Sequence, residues 1–503
     1  MRIALWHGWL LEGSGSNVAT ARVAEVLRSS GHDVLLVCQE GHPERYPWID
    51  ASGVVDADGP SDLAQNGAEA ARGRCVLLRP RIGRLLPVFV VDEYEGFDVK
   101  PFVDLTDAEL DEYLDRNVEA LGAAVSWHRS DVVFAGHAVP GPVVAKRALG
   151  PQRYVAKIHG SDLEYAIRPD RRYRDLAREG LGATRAVVGA SADVIERCVE
   201  LVPGIEHLVR IVPPGVAAEF RPRPRAEALL ATAELLDRDP DVADGRPVTL
   251  DAEVDRALER RDGAALDELA NAYDQSVPDP RAAELLRSLA SLEGPLIGYI
   301  GKLIPQKGVP TLLEAIAASS DPPQALIVGF GSQREWLHAL VHALRTSDRD
   351  ALGWLREVGG LPLDPGLSPR PDLRVGFTGR LDHRYAPGAL AAMDVLVVPS
   401  ILDEAFGMVG IEGAAAGALP LVARHSALAE VASTFETEVA RPGLFSFEPG
   451  RDAARNLAER IDALVSMTSE ERGELRERVA AFTVREWSWE RTASRLLEAA
   501  GAG

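Results

Sequence analysis

Two glutamates, Glu404 and Glu412, stand with seven residues between them in the stretch Asp403-Glu404-Ala405-Phe406-Gly407-Met408-Val409-Gly410-Ile411-Glu412. The apolar run Val395-Leu396-Val397-Val398 ahead of them reads as a buried parallel strand. The small residues from Met408 to Gly417 then read as a helix, and Leu419 to Ala423 as a second strand. Such a strand-to-helix turn is where open α/β sheets hold ligands. Glu404 falls on the loop and Glu412 about one turn inside the helix. Their carboxylates can therefore accept hydrogen bonds from different hydroxyl groups of one extended ligand. The amides of Phe406, Gly407 and Met408 open the helix and suit an anion or the polar edge of a sugar. Two solvated glutamates on an ordinary turn are the bland alternative. The flanking strand, the Phe-Gly pair and the Ala/Gly-rich helix weigh against it.

A second group is cationic. Gly301-Lys302-Leu303-Ile304-Pro305-Gln306-Lys307-Gly308 follows a strand and opens a helix carrying Leu312, Leu313 and Ile316. Lys302 and Lys307 can meet a pyrophosphate approaching that helix start. Only five of the 55 basic residues are lysines, and two of them fall in this loop. That bias favours a compact charge with a specific task over chance placement. His159, in Lys157-Ile158-His159-Gly160, ends another expected strand at its carboxyl edge. A lone histidine is more often structural, but the strand-end position and Gly160 favour a functional one. The loop Gly13-Ser14-Gly15-Ser16-Asn17 precedes a helix yet lacks the spacing of a dinucleotide fingerprint. His7, one residue past the first strand, is as readily structural as functional.

The elements that must position these groups alternate. Arg2 to Trp6 is a strand, a helix carries Ala19, Val23, Val26 and Leu27 on one face, and Val34 to Val37 is the next strand. Further strand candidates are Cys75–Leu78, Val88–Val91, Val132–Ala135, Val155–Ile158, Ala186–Gly189 and Leu208–Val212. This is the pattern of a doubly wound sheet. From Arg221 to about Ser291 the alternation stops, and helical patterns such as Val254–Leu258 and Leu285–Leu289 take over. A second α/β pattern runs through Leu296–Gly301, Ala325–Val328, Leu373–Phe377, Val395–Val398 and Leu419–Ala423. Between Ser347 and Pro371 the Pro/Gly/Asp content suggests a mobile surface loop.

The Glu404-Ala405-Phe406-Gly407 and Glu412 pattern resembles the donor-sugar motif of the glycogen-synthase-like retaining glycosyltransferases. That resemblance implies the GT-B fold, two facing Rossmann-like domains with an inter-domain cleft, here with a helical insertion. The corresponding division is an acceptor-side domain over 1–222, the insertion over 223–292, a nucleotide-sugar domain over 293–485, and a terminal helix over 486–503 that packs back on the first domain. The resemblance gives Glu404 the transferred sugar and Glu412 the nucleotide ribose. It places Lys302 and Lys307 on the diphosphate, His159 at the donor sugar and reaction centre, Gly15 on the cleft wall, and Gly379 beside the base. Lys302 stands where the family usually has arginine, keeping the charge while losing the planar fork. Ala217 stands where an aspartate usually follows the closing strand of the first domain.

The implied reaction moves a sugar from a UDP- or GDP-linked donor to an acceptor hydroxyl with the anomeric configuration retained. It needs no metal and no cofactor beyond the donor. Two alternatives remain open, a GT-B sugar-nucleotide epimerase and a non-catalytic nucleotide-sugar-binding protein. A phosphorylase-like reading is weaker, because nothing marks a lysine for pyridoxal phosphate. The insertion reads either as a solvated elaboration or as a surface for a partner.

Bulk properties bound the rest. A chain of 503 residues exceeds one hydrophobic core, so two or three domains are expected. A net charge of −21 argues against a nucleic-acid or anionic-lipid surface. Cys38, Cys75 and Cys198 show no metal or redox spacing and read as buried thiols in a reducing compartment. No signal pattern or membrane-spanning run is evident, so the expected location is cytoplasmic.

Overall fold

The computed structural model describes residues 1–90, 94–291 and 293–501. The chain divides into two compact units, Met1–Gly215 with Trp487–Gly503, and Val216–Glu486.

The first unit is built on a nine-stranded sheet. Its spatial order is Val209–Ile211, Val187–Gly189, Tyr154–Lys157, Val132–Gly136, Arg2–Trp6, Asp33–Val37, Arg74–Pro80, Ala51–Asp56 and Gly59–Gln65. All neighbours are parallel except the last two, which form an antiparallel hairpin. The central strand is apolar on both faces, with Ile3 and Ala4 fully buried, as a sheet covered by helices on both sides requires. The terminal helix Trp489–Ala499 is capped by Ser488 and belongs to this unit. Thr492 Oγ1 donates to Pro213 O at 2.9 Å, and a Cβ on Gly215 would meet Trp489 N at 2.2 Å, so the helix packs directly on the backbone there.

The second unit has a six-stranded, all-parallel sheet. Its order is Val375–Phe377, Gln324–Val328, Leu296–Ile300, Val395–Val398, Leu419–Ala423 and Ser446–Phe447. Numbered along the unit this is 3-2-1-4-5-6, the dinucleotide-binding order, with its switch point between Leu296–Ile300 and Val395–Val398. Helices Arg225–Leu236, Leu250–Arg260, Gly263–Leu269 and Ala282–Ala290 form the 223–292 segment. They bury Leu229, Val254, Leu266 and Leu286 completely, so one face of the segment is packed while the other is exposed.

Two local expectations are corrected and one element is added. The strand expected over Val88–Val91 is Leu85–Val88, paired with Asp98–Pro101 in a separate two-stranded sheet, and Val91 lies outside the described residues. The hairpin Ala51–Gln65 was missed although Asp58-Gly59 is a turn pair, because its outer strand is polar and exposed. The 347–371 segment is not all loop. Asp348 caps a helix, Arg349–Glu357, whose Trp354 stacks on Trp336 at 5.5 Å.

Candidate functional site

At the switch point two loops leave adjacent strands and are stitched together. The backbone oxygen of Gln306 accepts from Ile401 N at 2.8 Å and from Leu402 N at 3.2 Å. Gly308 takes φ +65°, and a Cβ there would lie 2.0 Å from Pro399 O, so only glycine lets the loops approach this closely. The stitching brings Lys307 and Glu404 together. Lys307 Nζ donates to Glu404 Oε1, with side chains 26% and 18% exposed. Ser400 Oγ donates to the same carboxylate oxygen at 2.9 Å, and Ser426 Oγ accepts from Glu404 N at 3.2 Å. His425 Nε2 lies 2.6 Å from Ser400 O and fixes that loop from behind.

The helix Met408–Ala416 starts from Gly407 at φ +83°, with Phe406 buried beneath it. A Cβ on Gly413 would lie 2.3 Å from Leu396 Cδ2, which explains the small residues: the helix seats tightly on its strand. Glu412 sits half-buried on that helix, one turn beyond its start. Lys302 leans over the ring of Phe330 at 5.9 Å, and Arg380, next to Gly379, approaches the same ring at 5.2 Å. Gly379 has φ +71° and its oxygen accepts from Gly329 N at 2.9 Å. Lys302, Lys307, Glu404, Phe406, Gly407, Met408, Glu412 and Gly379 thus all belong to turns or helix starts at the carboxyl ends of one sheet. A cavity of about 920 Å³ borders the Pro399–Asp403 turn, lined by Glu314, Ser400, Asp403, His425 and Arg451 among others. None of the sequence-derived site residues lines it, so the site is defined by its side chains rather than by that cavity.

His159 and Gly15 lie in the first unit. Gly15 is the first residue of the helix Gly15–Ser29, capped by Ser14, rather than part of a free loop. His7 Nε2 lies 2.9 Å from Asn17 Oδ1, which makes Nε2 the protonated nitrogen, and burial lowers the imidazole to about 4. His7 and His137 follow the two strands that form this sheet's own switch point. Their ring centroids are 5.6 Å apart, and His137 lies 4.5 Å from His159. Among the described residues, His137 Nδ1 and His159 Nε2 are buried without a hydrogen-bond partner. Burial first, then the charge of neighbouring basic groups, holds both rings well below the usual histidine value. Asp162 ties the cluster together, accepting from Ala138 N at 2.5 Å and His159 N at 3.1 Å. Burial pushes its carboxyl up to about 7 against those amides. Sequence reasoning missed His137, although it directly follows the strand Val132–Gly136. The available signal was its place one residue past a strand, the same place His7 holds after Arg2–Trp6.

Comparison with known proteins bears on the same region. Residues 294–467 match the family model described as Glycosyl transferases group 1. A 2-deoxystreptamine N-acetyl-D-glucosaminyltransferase of Streptomyces fradiae is 31% identical over 137 residues, 26% of this chain and 27% of that protein. A 2-deoxystreptamine glucosyltransferase of Streptomyces kanamyceticus is 27% identical over 140 residues, 27% of this chain and 30% of that protein. The chain therefore spans less than a third of the length of these curated relatives. Among solved structures, a sucrose-phosphate synthase of Thermosynechococcus elongatus matches over 99% of this chain and 97% of its own, with TM-score 0.58 and 18% identity. The Anabaena protein HepE in complex with UDP and glucose matches over 100% of both chains, with TM-score 0.58 and 13% identity. The chain has the GT-B fold, and residues 294–467 are similar in sequence to the Glycosyl transferases group 1 family.

Among the described residues no helix is long and apolar enough to cross a membrane.

Proposed function

We propose that this protein is a retaining glycosyltransferase that moves a sugar from a UDP- or GDP-linked donor to an acceptor hydroxyl without a metal ion. The observation that carries the reading is the pairing of Lys307 with Glu404 at the switch point, with Glu412 on the adjoining helix. A donor laid along these groups gives each a task. Glu412 accepts from the ribose hydroxyls, and Glu404 from a hydroxyl of the transferred sugar. Lys302, Lys307 and the amides of Phe406, Gly407 and Met408 face the diphosphate and the sugar's polar edge.

In the reaction, the bond between the anomeric carbon and the leaving phosphate oxygen breaks as the acceptor oxygen bonds to the same face. The leaving phosphate takes the acceptor proton. Negative charge then grows on the diphosphate, where the two lysines stabilise the transition state more than the ground state. His159, held as a neutral imidazole, is the first-unit residue that the family resemblance assigns to the donor sugar. The names of the curated relatives make an aminocyclitol such as 2-deoxystreptamine one acceptor class to test.

The test is product analysis. A nucleotide-sugar panel is first screened by thermal shift, and the stabilising donor is then incubated with candidate acceptors. Release of nucleoside diphosphate with formation of a glycoside of unchanged anomeric configuration supports the proposal. An epimerised nucleotide sugar, an inverted glycoside, or donor binding without turnover on any acceptor contradicts it.

A further inference from the structure

The segment Tyr273-Asp274-Gln275-Ser276-Val277-Pro278-Asp279 leaves the insertion helices and runs onto two glycine turns of the nucleotide domain. Pro278 and Gly379 pair in an antiparallel bridge, and Asp279 N donates to Thr378 O at 2.7 Å. A Cβ on Gly379 would approach Asp279 Oδ1 to 2.4 Å. Gln275 Oε1 accepts from Gly331 N at 2.7 Å, while its Nε2 donates to Ala270 O, which fixes the amide orientation. Asp279 Oδ2 also accepts from Arg334 Nη2 at 3.0 Å, and Arg334 lies 4.1 Å over the Phe377 ring. Farther out, Arg246 grips Glu335 through Nε at 2.9 Å and Nη2 at 2.7 Å, with side chains 4% and 0% exposed. Tyr273 OH donates to the same carboxylate at 2.9 Å.

A solvated appendage has no reason to spend buried charge and backbone bonds on these two turns. Gly331 takes φ +139°, a conformation open to glycine. Backbone bonds from Arg334 N to Gly331 O and from Leu303 N to Phe330 O hold one side of this turn, and Gln275 holds its remaining N–H. Phe330, the ring that both Lys302 and Arg380 approach, belongs to the Gly331 turn.

We infer that the insertion is a working wall of the nucleotide site, in which Gln275 and Asp279 are positioning residues that set the base-side turns and hence base selectivity. The inference rests on the nucleotide-sugar reading above. It makes the 223–292 segment part of donor recognition rather than a docking surface.

Full-length wild type, Gln275→Ala, Gln275→Glu and Asp279→Asn would be titrated calorimetrically with UDP, GDP, ADP, dTDP and inorganic pyrophosphate, after melts confirm folding. In Gln275→Ala the preferred nucleotide should weaken by about three- to tenfold and the gap between bases should narrow. Pyrophosphate affinity should stay at the wild-type value, because it engages the lysines. Gln275→Glu keeps an acceptor for Gly331 N and should recover most of the loss. Unchanged base ranking in folded Gln275→Ala and Asp279→Asn overturns the inference, as does an equal loss for pyrophosphate. Wild type that binds none of the four nucleotides overturns the donor reading itself, which separates the two failures.

Discussion

Lys307 and Glu404 are ion-paired across the switch point of the second unit, although 97 positions separate them in the chain. Each is assigned a different part of the donor, the cation to phosphate and the anion to sugar. The pair therefore has to open, or share its charges, when a donor arrives. Until then each group neutralises the other in a partly desolvated turn, which offsets part of the cost of drawing both charges away from water.

This coupling shapes the first prediction. Lys307→Ala should cut turnover by about 2–4 kcal/mol in transition-state stabilisation, the range for loss of one oxyanion-type donor. It also exposes the phosphate to the Glu404 carboxylate without the intervening ammonium. Removing Glu404 as well should then recover part of the lost nucleoside diphosphate affinity. A double-mutant cycle on calorimetric Kd values should give a coupling of about 0.5–3 kcal/mol. Additivity within about 0.5 kcal/mol would mean that the two residues act on separate ligands without meeting.

Gly308→Ala tests the stitching of the two loops. The substitution places a methyl group 2.0 Å from Pro399 O at a positive φ, so one loop must move. A cost of about 1–3 kcal/mol in stability is expected from the backbone conformation alone. Turnover should fall further than Tm suggests, because Lys307 is the preceding residue. A variant with wild-type kcat/KM would show that the loop spacing is immaterial.

Much of the second unit was legible because its strands are buried on both faces and its turns carry glycine. Val395–Val398 and Leu419–Ala423 were read with their observed bounds, since continuous apolar runs end sharply at Pro399 and Arg424. The Lys307–Glu404 contact was not legible, because strand order rather than sequence distance creates it. His137 was overlooked for the same reason: only the parallel pairing of Val132–Gly136 with Arg2–Trp6 sets it beside His7. Arg349–Glu357 was mistaken for loop because its Gly and Pro neighbours masked a capped amphipathic turn. Its packing partner, Trp336, lies in another helix.

The histidine cluster predicts an acid limb in stability. Folding lowers the proton affinity of His7, His137 and His159, so the unfolded chain binds more protons below about pH 6.5. Their contribution is present above that pH and is lost as the pH falls through it. Asp162 acts in the opposite sense, since its folded carboxyl stands at about 7 and gains protons before the unfolded one does. Lys157, lowered to about 8 by burial, changes stability only at more alkaline pH. His137→Asn suits the positive φ of +66° and removes one of the three imidazoles of the cluster. It should flatten the acid limb between pH 6.5 and 5 by up to about 1.4 kcal/mol per pH unit, read from denaturant midpoints. An unchanged slope would place the acid sensitivity elsewhere.

The central claim is that Glu404 holds the transferred sugar and Glu412 the ribose, and one set of titrations tests it most directly. Folded Glu404→Ala and Glu412→Ala would each be titrated with the nucleoside diphosphate and with its sugar conjugate. Glu412→Ala should weaken both ligands by about tenfold or more, because both carry ribose and a charged hydrogen bond is lost. Glu404→Ala should leave the free nucleotide at or slightly above wild-type affinity, since Lys307 is released, while the sugar conjugate loses its advantage. Equal loss of free-nucleotide affinity in both variants, or no loss in either, would contradict the assignment.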